Sequence, residues 1–294
     1  MTLSAQRVRS MSNLYALLGE TGATASRYSV FMAMMKCASS NGLSQLLSGQ
    51  FDKLEAWIEE WECSPAQVVD LYWEVTQALL AQGGRDAEAT ALLHKVLQAT
   101  EGGDAATLAA VSEQAKLACV TAIKTPDTYK LDELLDLAAV QQLQNSEPLV
   151  VALLRIFVGG KFSDYTKFVA AHDGLLAELG LEASACEDKM RLLTLASLAN
   201  EHEEVPYTAV ASDLAIPTKG EWASEVEGCV IQAIAAGLIE ARLDQRRQLV
   251  IISRSTQREF HDEDWQQLGS KLAQWRDHVQ RMLMVIESAA AREL

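Results

Sequence analysis

The sequence predicts a mainly α fold in three parts: a solenoid-like array of helical hairpins, a three-helix unit closed by a β-hairpin, and a long C-terminal helix. Three observations carry that prediction. Apolar residues recur at steps of three and four from Arg27 to about residue 186, with short Gly, Ser and Pro breaks between the stripes. Two β-rich runs, 238–243 and 248–253, flank the polar turn Asp244-Gln245-Arg246-Arg247. A seven-residue apolar repeat then runs from Trp265 to Ile286. The corresponding division is a loose N-terminal segment over 1–25, the array over 26–186, the three-helix unit over 187–260 and the terminal helix over 261–294.

Composition fits this class and excludes others. The 294 residues suit one large or two modest domains, and 49% hydrophobic residues is ordinary for a chain with a real core. A net charge of −15 opposes a broad basic face that grips nucleic acid. The five cysteines, Cys37, Cys63, Cys119, Cys186 and Cys229, are scattered without a C-x-x-C pair, which reads as reduced core residues rather than a disulfide framework or zinc site. No apolar leader opens the chain, and the most apolar run, 149–158, is short and carries Arg155. A protein of the cytosol or nucleus is expected.

Taken in order, the N-terminal segment holds a helix over 3–18, followed by a Gly/Thr/Ala stretch. Tyr28, Phe31, Met32, Met35 and Cys37 begin a buried face that Gly42 breaks; Phe51, Leu54, Ile58 and Trp61 make the next stripe. Ser64-Pro65 is a cap and first-turn pair for the helix carrying Val68, Leu71, Tyr72, Val75 and Leu79, which ends at Gly83-Gly84. Ala89, Leu92, Leu93, Val96 and Leu97 form another, closed by Gly102-Gly103. A stripe from Leu108 to Ile123 follows, Thr125-Pro126 reads as a further helix start, and Ser146-Glu147-Pro148 opens one that stops at Gly159-Gly160. Short connections favour antiparallel neighbours, and each hairpin buries one face on the next. Beyond Glu187 the text changes to helices over 190–200, 206–214 and 222–236, with Gly237 stopping the third before the hairpin. Three helices followed by a β-hairpin make a winged helix. In the terminal helix, Asp262 is placed to cap, and Trp265, Leu268, Leu272, Trp275, Val279, Met282 and Ile286 form the seam.

The order of array, winged helix and terminal helix, and the wording within it, resemble the PCI module. The residues that carry the likeness are Lys189-Met190-Arg191-Leu192-Leu193-Thr194, Leu243-Asp244-Gln245, Ser255-Thr256-Gln257-Arg258-Glu259-Phe260 and Trp265-Gln266-Gln267-Leu268 with Trp275. Upstream, Ile156-Phe157-Val158 with Lys161, Tyr165 and Lys167-Phe168, and Trp57-Ile58 with Trp61, are similar too. PCI modules occur in the proteasome lid, the signalosome and eukaryotic translation initiation factor three, and the wording is closest to the m-type subunits of that factor. The resemblance implies a non-catalytic scaffold subunit in the cytoplasm, with PCI-type and MPN-type subunits as partners, the small ribosomal subunit reached through the complex, and no membrane or cofactor. The alternatives are a signalosome or lid subunit and a winged-helix RNA binder.

Candidate surfaces follow from the residues. The third helix and the start of the wing carry Glu221, Glu225, Glu227 and Glu240 without Lys or Arg, so this helix repels phosphate and is no ordinary groove reader. Arg242, Arg246, Arg247, Arg254 and Arg258, on and after the wing, are candidate contacts to RNA or an acidic partner, set against a solvated hairpin edge. The run Leu249-Val250-Ile251-Ile252 cannot present all its side chains on one face of a hairpin. It is either an edge for strand addition by a neighbour, or Leu249 and Ile251 pack on the module's own helices while Val250 and Ile252 are covered by the terminal helix. Trp275, Val279, Met282, Leu283 and Ile286 are the candidate contacts of the terminal helix, whose start (Trp265, Leu268, Leu272) is expected to pack on the winged helix. For an enzyme the residues offer little. His94, His172, His202, His261 and His278 are far apart, and Gly159-Gly160-Lys161 lacks the first Gly and the hydroxyl residue of a phosphate loop. No catalytic, cofactor-binding or metal residue is assigned.

Overall fold

The computed structural model describes residues 3–21, 24–41, 53–258 and 262–290. Gly42, Phe51, Glu259, Phe260 and His261 lie outside the described residues, as do the side chains of Lys271 and Ile286. The helices begin with α1 (Leu3–Thr21), α2 (Thr24–Ser40), α3 (Leu54–Glu60), α4 (Pro65–Gln82) and α5 (Asp86–Ala99). The array continues with α6 (Ala105–Ala110), α7 (Ser112–Lys124), α8 (Asp132–Asp136), α9 (Ala138–Ser146), α10 (Pro148–Gly159), α11 (Phe162–Ala171) and α12 (Leu175–Glu178). Next come α13 (Ala183–Glu201), β1 (Glu204–Pro206), α14 (Tyr207–Asp213), α15 (Trp222–Ala235), β2 (Ile239–Asp244) and β3 (Leu249–Ser255), and finally α16 (Asp262–Ala290). The fold class is the mainly α one expected.

Local chemistry explains where helices start. Ser64 Oγ accepts from the Gln67 N–H at 3.4 Å, the Gln67 side chain accepts from the Ser64 N–H at 2.9 Å, and Pro65 holds the first position of α4. Thr125-Pro126, read as a similar start, opens no helix. The Thr125 hydroxyl donates back to the Thr121 carbonyl at 2.8 Å, so it caps nothing ahead of it, and the next helix begins only at Asp132. The helix expected over 3–18 is α1, which runs to Thr21, packs along α2 and buries Val8 in the same core as Phe31.

The described residues fold around three apolar cores in series. The first gathers α1 to α5, with Phe31, Met35, Trp61, Leu71 and Val75 fully or nearly buried. There Trp57 and Trp61 stack at 5.5 Å, and Phe31 meets Trp57 edge-on at 5.2 Å. The second spans α5 to α13 and includes Leu93, Ile123, Leu154, Phe157 and Tyr165. The third belongs to the winged helix: Leu195, Val210, Val226, Val230 and Val250. Two helices are shared. Ala89 and Val96 of α5 face the first core while Leu93 and Leu97 face the second. Cys186, Met190 and Leu193 of α13 complete the second, and Leu195, Leu198 and Ala199 start the third. The expected boundary at 186/187 therefore falls inside a continuous helix.

Among the described residues the sheet has three strands rather than the expected two, in the order β1-β3-β2, both pairings antiparallel. Glu204, Val205 and Pro206 pair with Ile251, Val250 and Leu249, and Arg242 lies opposite Ile251 from the other side.

Candidate interaction surfaces

The wing strand is the centre of its sheet, which changes its candidate role. Both of its edges are paired within the chain, so a neighbour cannot add a strand to β3; the edges left are β1 and β2. Alternation divides its four apolar residues. Val250 and Ile252 are buried in the winged-helix core and are withdrawn as contact residues, while Leu249 and Ile251 are half-buried on the outer face. The expected assignment of faces is reversed: Val250 and Ile252, not Leu249 and Ile251, pack on the winged helix's own helices, and among the described residues the terminal helix contributes nothing to that core.

The five arginines part company. Arg242, Arg246 and Arg247 are exposed, and the Asp244 carboxylate organises the turn by accepting the Arg247 N–H at 3.0 Å. Arg254 is exposed beside Glu240 at 3.4 Å, a surface pair of little energetic weight. Arg258 is not a surface cation. Its guanidinium donates to the carbonyls of Phe157 at 2.7 Å and Gly160 at 3.0 Å, to Leu193 O at 3.3 Å and to Ser197 Oγ at 2.8 Å. It ties the segment after the wing to the end of α10 and to α13. A side chain at Gly160 would put its Cβ 2.8 Å from the Ile156 carbonyl oxygen, so glycine permits the close turn that presents the Gly160 carbonyl to Arg258.

A second cation closes the same junction. Lys189 is 4% exposed, and its ammonium donates to the carbonyls of Ala122 at 2.8 Å, Ile123 at 3.2 Å and Thr125 at 2.7 Å. These are the last carbonyls of α7 and the residue after it, which have no helical partner and lie at the negative end of the helix dipole. Burial pulls the Lys189 pKa down to about 7, with Cys186 and Asp127 acting in the opposite direction. The rest of its motif is structural as well. Met190 and Leu193 are core, the Arg191 guanidinium lies 5.2 Å over the Phe162 ring, and the Thr194 hydroxyl returns to the Met190 carbonyl at 2.7 Å. Ser255 donates to Asn200 Oδ1 at 3.1 Å, and the Thr256 N–H to Leu238 O at 2.8 Å. Much of the wording shared with the PCI module is the wording of this junction.

On α15 the acids are not equivalent. Glu227 accepts from the Tyr207 hydroxyl at 3.2 Å and from Gln245 Nε2 at 2.9 Å, clasping α15 to α14 and to the wing turn. Burial and then the Glu227 carboxylate push Tyr207 up to about 12. Ile231 and Ile234 are exposed on this helix, an apolar feature that residue types alone did not single out.

The terminal helix differs from every element before it. Trp275, Val279, Met282 and Met284 are 66%, 55%, 65% and 60% exposed, and Leu283 is exposed with them. Trp265, Leu268 and Leu272, expected to pack on the winged helix, are 61%, 37% and 52% exposed, which corrects that expectation. The reason lies in the core itself: Val250, Ile252 and the helices α13 to α15 already fill it without residues from α16.

The buried thiols are poor nucleophiles. Burial raises Cys119 to about 12 and Cys186 to about 11, far from a reactive thiolate. Among the described residues no group of three His, Cys, Asp or Glu could hold a metal, and no helix is long and apolar enough to cross a membrane.

Comparison with known proteins matches these regions to families. The PCI domain model matches residues 169–254, and a model described as eIF3 subunit M, C-terminal helix matches 258–286. Eukaryotic translation initiation factor 3 subunit M of Phaeosphaeria nodorum is 34% identical over 271 residues, covering 91% of this chain and 60% of that protein. The protein of that name from Dictyostelium discoideum is 31% identical over 278 residues, with 91% and 65% covered. That from Homo sapiens is 30% identical over 276 residues, with 94% and 70% covered. The chain thus spans 60% to 70% of the length of these relatives.

Proposed function

The chain belongs to the eukaryotic translation initiation factor 3 subunit M family, and from that premise we propose that it is a non-catalytic scaffold subunit of the factor 3 complex. It would act in the cytoplasm, holding PCI-type and MPN-type subunits together and, through them, supporting the preinitiation complex on the small ribosomal subunit. One observation carries this reading. The helix matched by the family's own C-terminal model is the one whose apolar seam stands in water. Large apolar side chains in a row at seven-residue period are stable in that setting only when another helix covers them.

The wing is a second, smaller surface in this reading. Leu249 and Ile251 on its outer face, with Arg242, Arg246 and Arg247 near them, offer side chains, while β2 offers the open backbone edge. Arg258, Val250 and Ile252 take no part.

The test is native purification of the tagged chain with identification of what travels with it. Initiation factor 3 subunits and small-subunit ribosomal proteins are the expected company. Val279→Asp should reduce their recovery by more than about 100-fold, since a carboxylate would be buried unpaired in a helical seam. Co-purification of proteasome-lid or signalosome subunits instead would overturn the proposal.

A further inference from the structure

The exposed seam of α16 has flanks as well as a core, and the flanks say which kind of helix fits. With Trp265, Leu268, Leu272, Trp275, Val279 and Met282 in the two seam positions of the repeat, the residues bordering them on one side are Asp264, Lys271, His278 and Val285. On the other side they are Gly269, Arg276 and Leu283. Through the central two repeats the charged border residues are therefore cationic. The acid within that stretch, Asp277, sits on the far side of the helix by register, 3.7 Å from its neighbour Arg276.

A second copy of this chain is a poor occupant. In a parallel pair, Lys271 of one helix would face Arg276 of the other, twice by symmetry. In the antiparallel pair that levels Leu272 with Trp275, Lys271 would meet His278 and Arg276 would meet Gly269. Neither arrangement brings an acid to a cation. From this we propose that α16 selects, through Lys271 and Arg276, a partner helix that carries an apolar seam bordered by acidic residues, and that the same two cations keep the free chain from pairing with itself. The partner's border would present Glu or Asp to both cations. Past Met282 the borders turn apolar at Leu283 and Val285, so this end takes no part in the charge selection. The inference rests on the scaffold reading above, because it names the chemistry of what covers that reading's surface.

The full chain can be titrated with two designed amphipathic peptides of equal length and identical Leu/Ile seams, one bordered by Glu and one by Lys. Fluorescence anisotropy should give the Glu-bordered peptide about tenfold tighter binding at about 50 mM salt, a preference that shrinks as salt screens the borders. The double variant Lys271→Glu/Arg276→Glu should reverse the preference. Arg276 is exposed and Lys271 borders the seam rather than joining it, and circular dichroism of the variant checks that the fold is kept. Equal affinity for the two peptides, binding to neither, or a tight homodimer through α16 would each overturn the proposal. A flat charge response in a chain that still co-purifies with initiation factor 3 subunits removes this inference and leaves the scaffold reading standing.

Discussion

Helix α13, which opens the winged helix, and α16, which follows it in the chain, treat similar side chains in opposite ways. In α13, Met190, Leu193, Leu195 and Leu198 are buried between two cores, and even Lys189 is enclosed, its ammonium satisfied by three carbonyls. In α16, Trp275, Val279 and Met282 keep the cleaner repeat but lie open to water. A periodic stripe states which side chains want cover and says nothing about whose atoms provide it. Burial in α13 is a matter of folding; burial along α16 is, in the proposed reading, a matter of assembly.

Substitutions in α13 and in α16 should therefore differ in kind. The largest effect belongs to Lys189→Met, which keeps the length and apolarity of the side chain but leaves the carbonyls of Ala122 and Ile123 without the Lys189 donor and that of Thr125 with only the Thr128 N–H at 3.4 Å. A loss of about 3 kcal/mol in urea unfolding is expected; a loss under about 1 kcal/mol would show that packing alone holds the junction.

A pH series gives the next effect. Lys189 releases its proton near pH 7 when folded and near its ordinary value of 10.5 when unfolded. Between those values the unfolded chain binds the extra proton, so stability should rise with pH from about 7 towards 10, by up to about 1 kcal/mol per pH unit from this group. In Lys189→Met that component of the slope should vanish; an unchanged slope would assign the pH response to other groups.

The smallest effect is expected where the side chain is largest. Trp275→Ala, at a residue 66% exposed, should alter the melting free energy of the isolated chain by under about 0.5 kcal/mol. A core-sized loss there would mean that α16 is covered at home after all.

What could be read from residues alone follows the range of the interaction. The Ser64-Pro65 cap closes within three residues and is plain in the text, as is the seam of α16, which repeats at a fixed step. Thr125-Pro126 has the same look as Ser64-Pro65 but fails, because its hydroxyl turns back to Thr121 and its carbonyl is taken by Lys189 from 64 residues away. Arg258 was indistinguishable from its exposed neighbours on the wing for a similar reason, since its acceptor Phe157 O lies 101 residues earlier in the chain. β1 is three residues long and ends in Pro, too short for any alternation to register, yet it converts the wing strand from an edge to a centre. Exposed cations and buried ones share a sequence signature; only the acceptors tell them apart.

The sharing of α5 between the first and second cores, and of α13 between the second and third, sets how the array comes apart. No core can open without fraying a helix that its neighbour also needs, so the array behaves as a short ladder whose rungs are coupled through α5 and α13. Its amides in those two helices would be the last to exchange with solvent, and those of α16, outside the ladder, among the first. The same coupling lets a load on the winged helix be carried along α13 into the array.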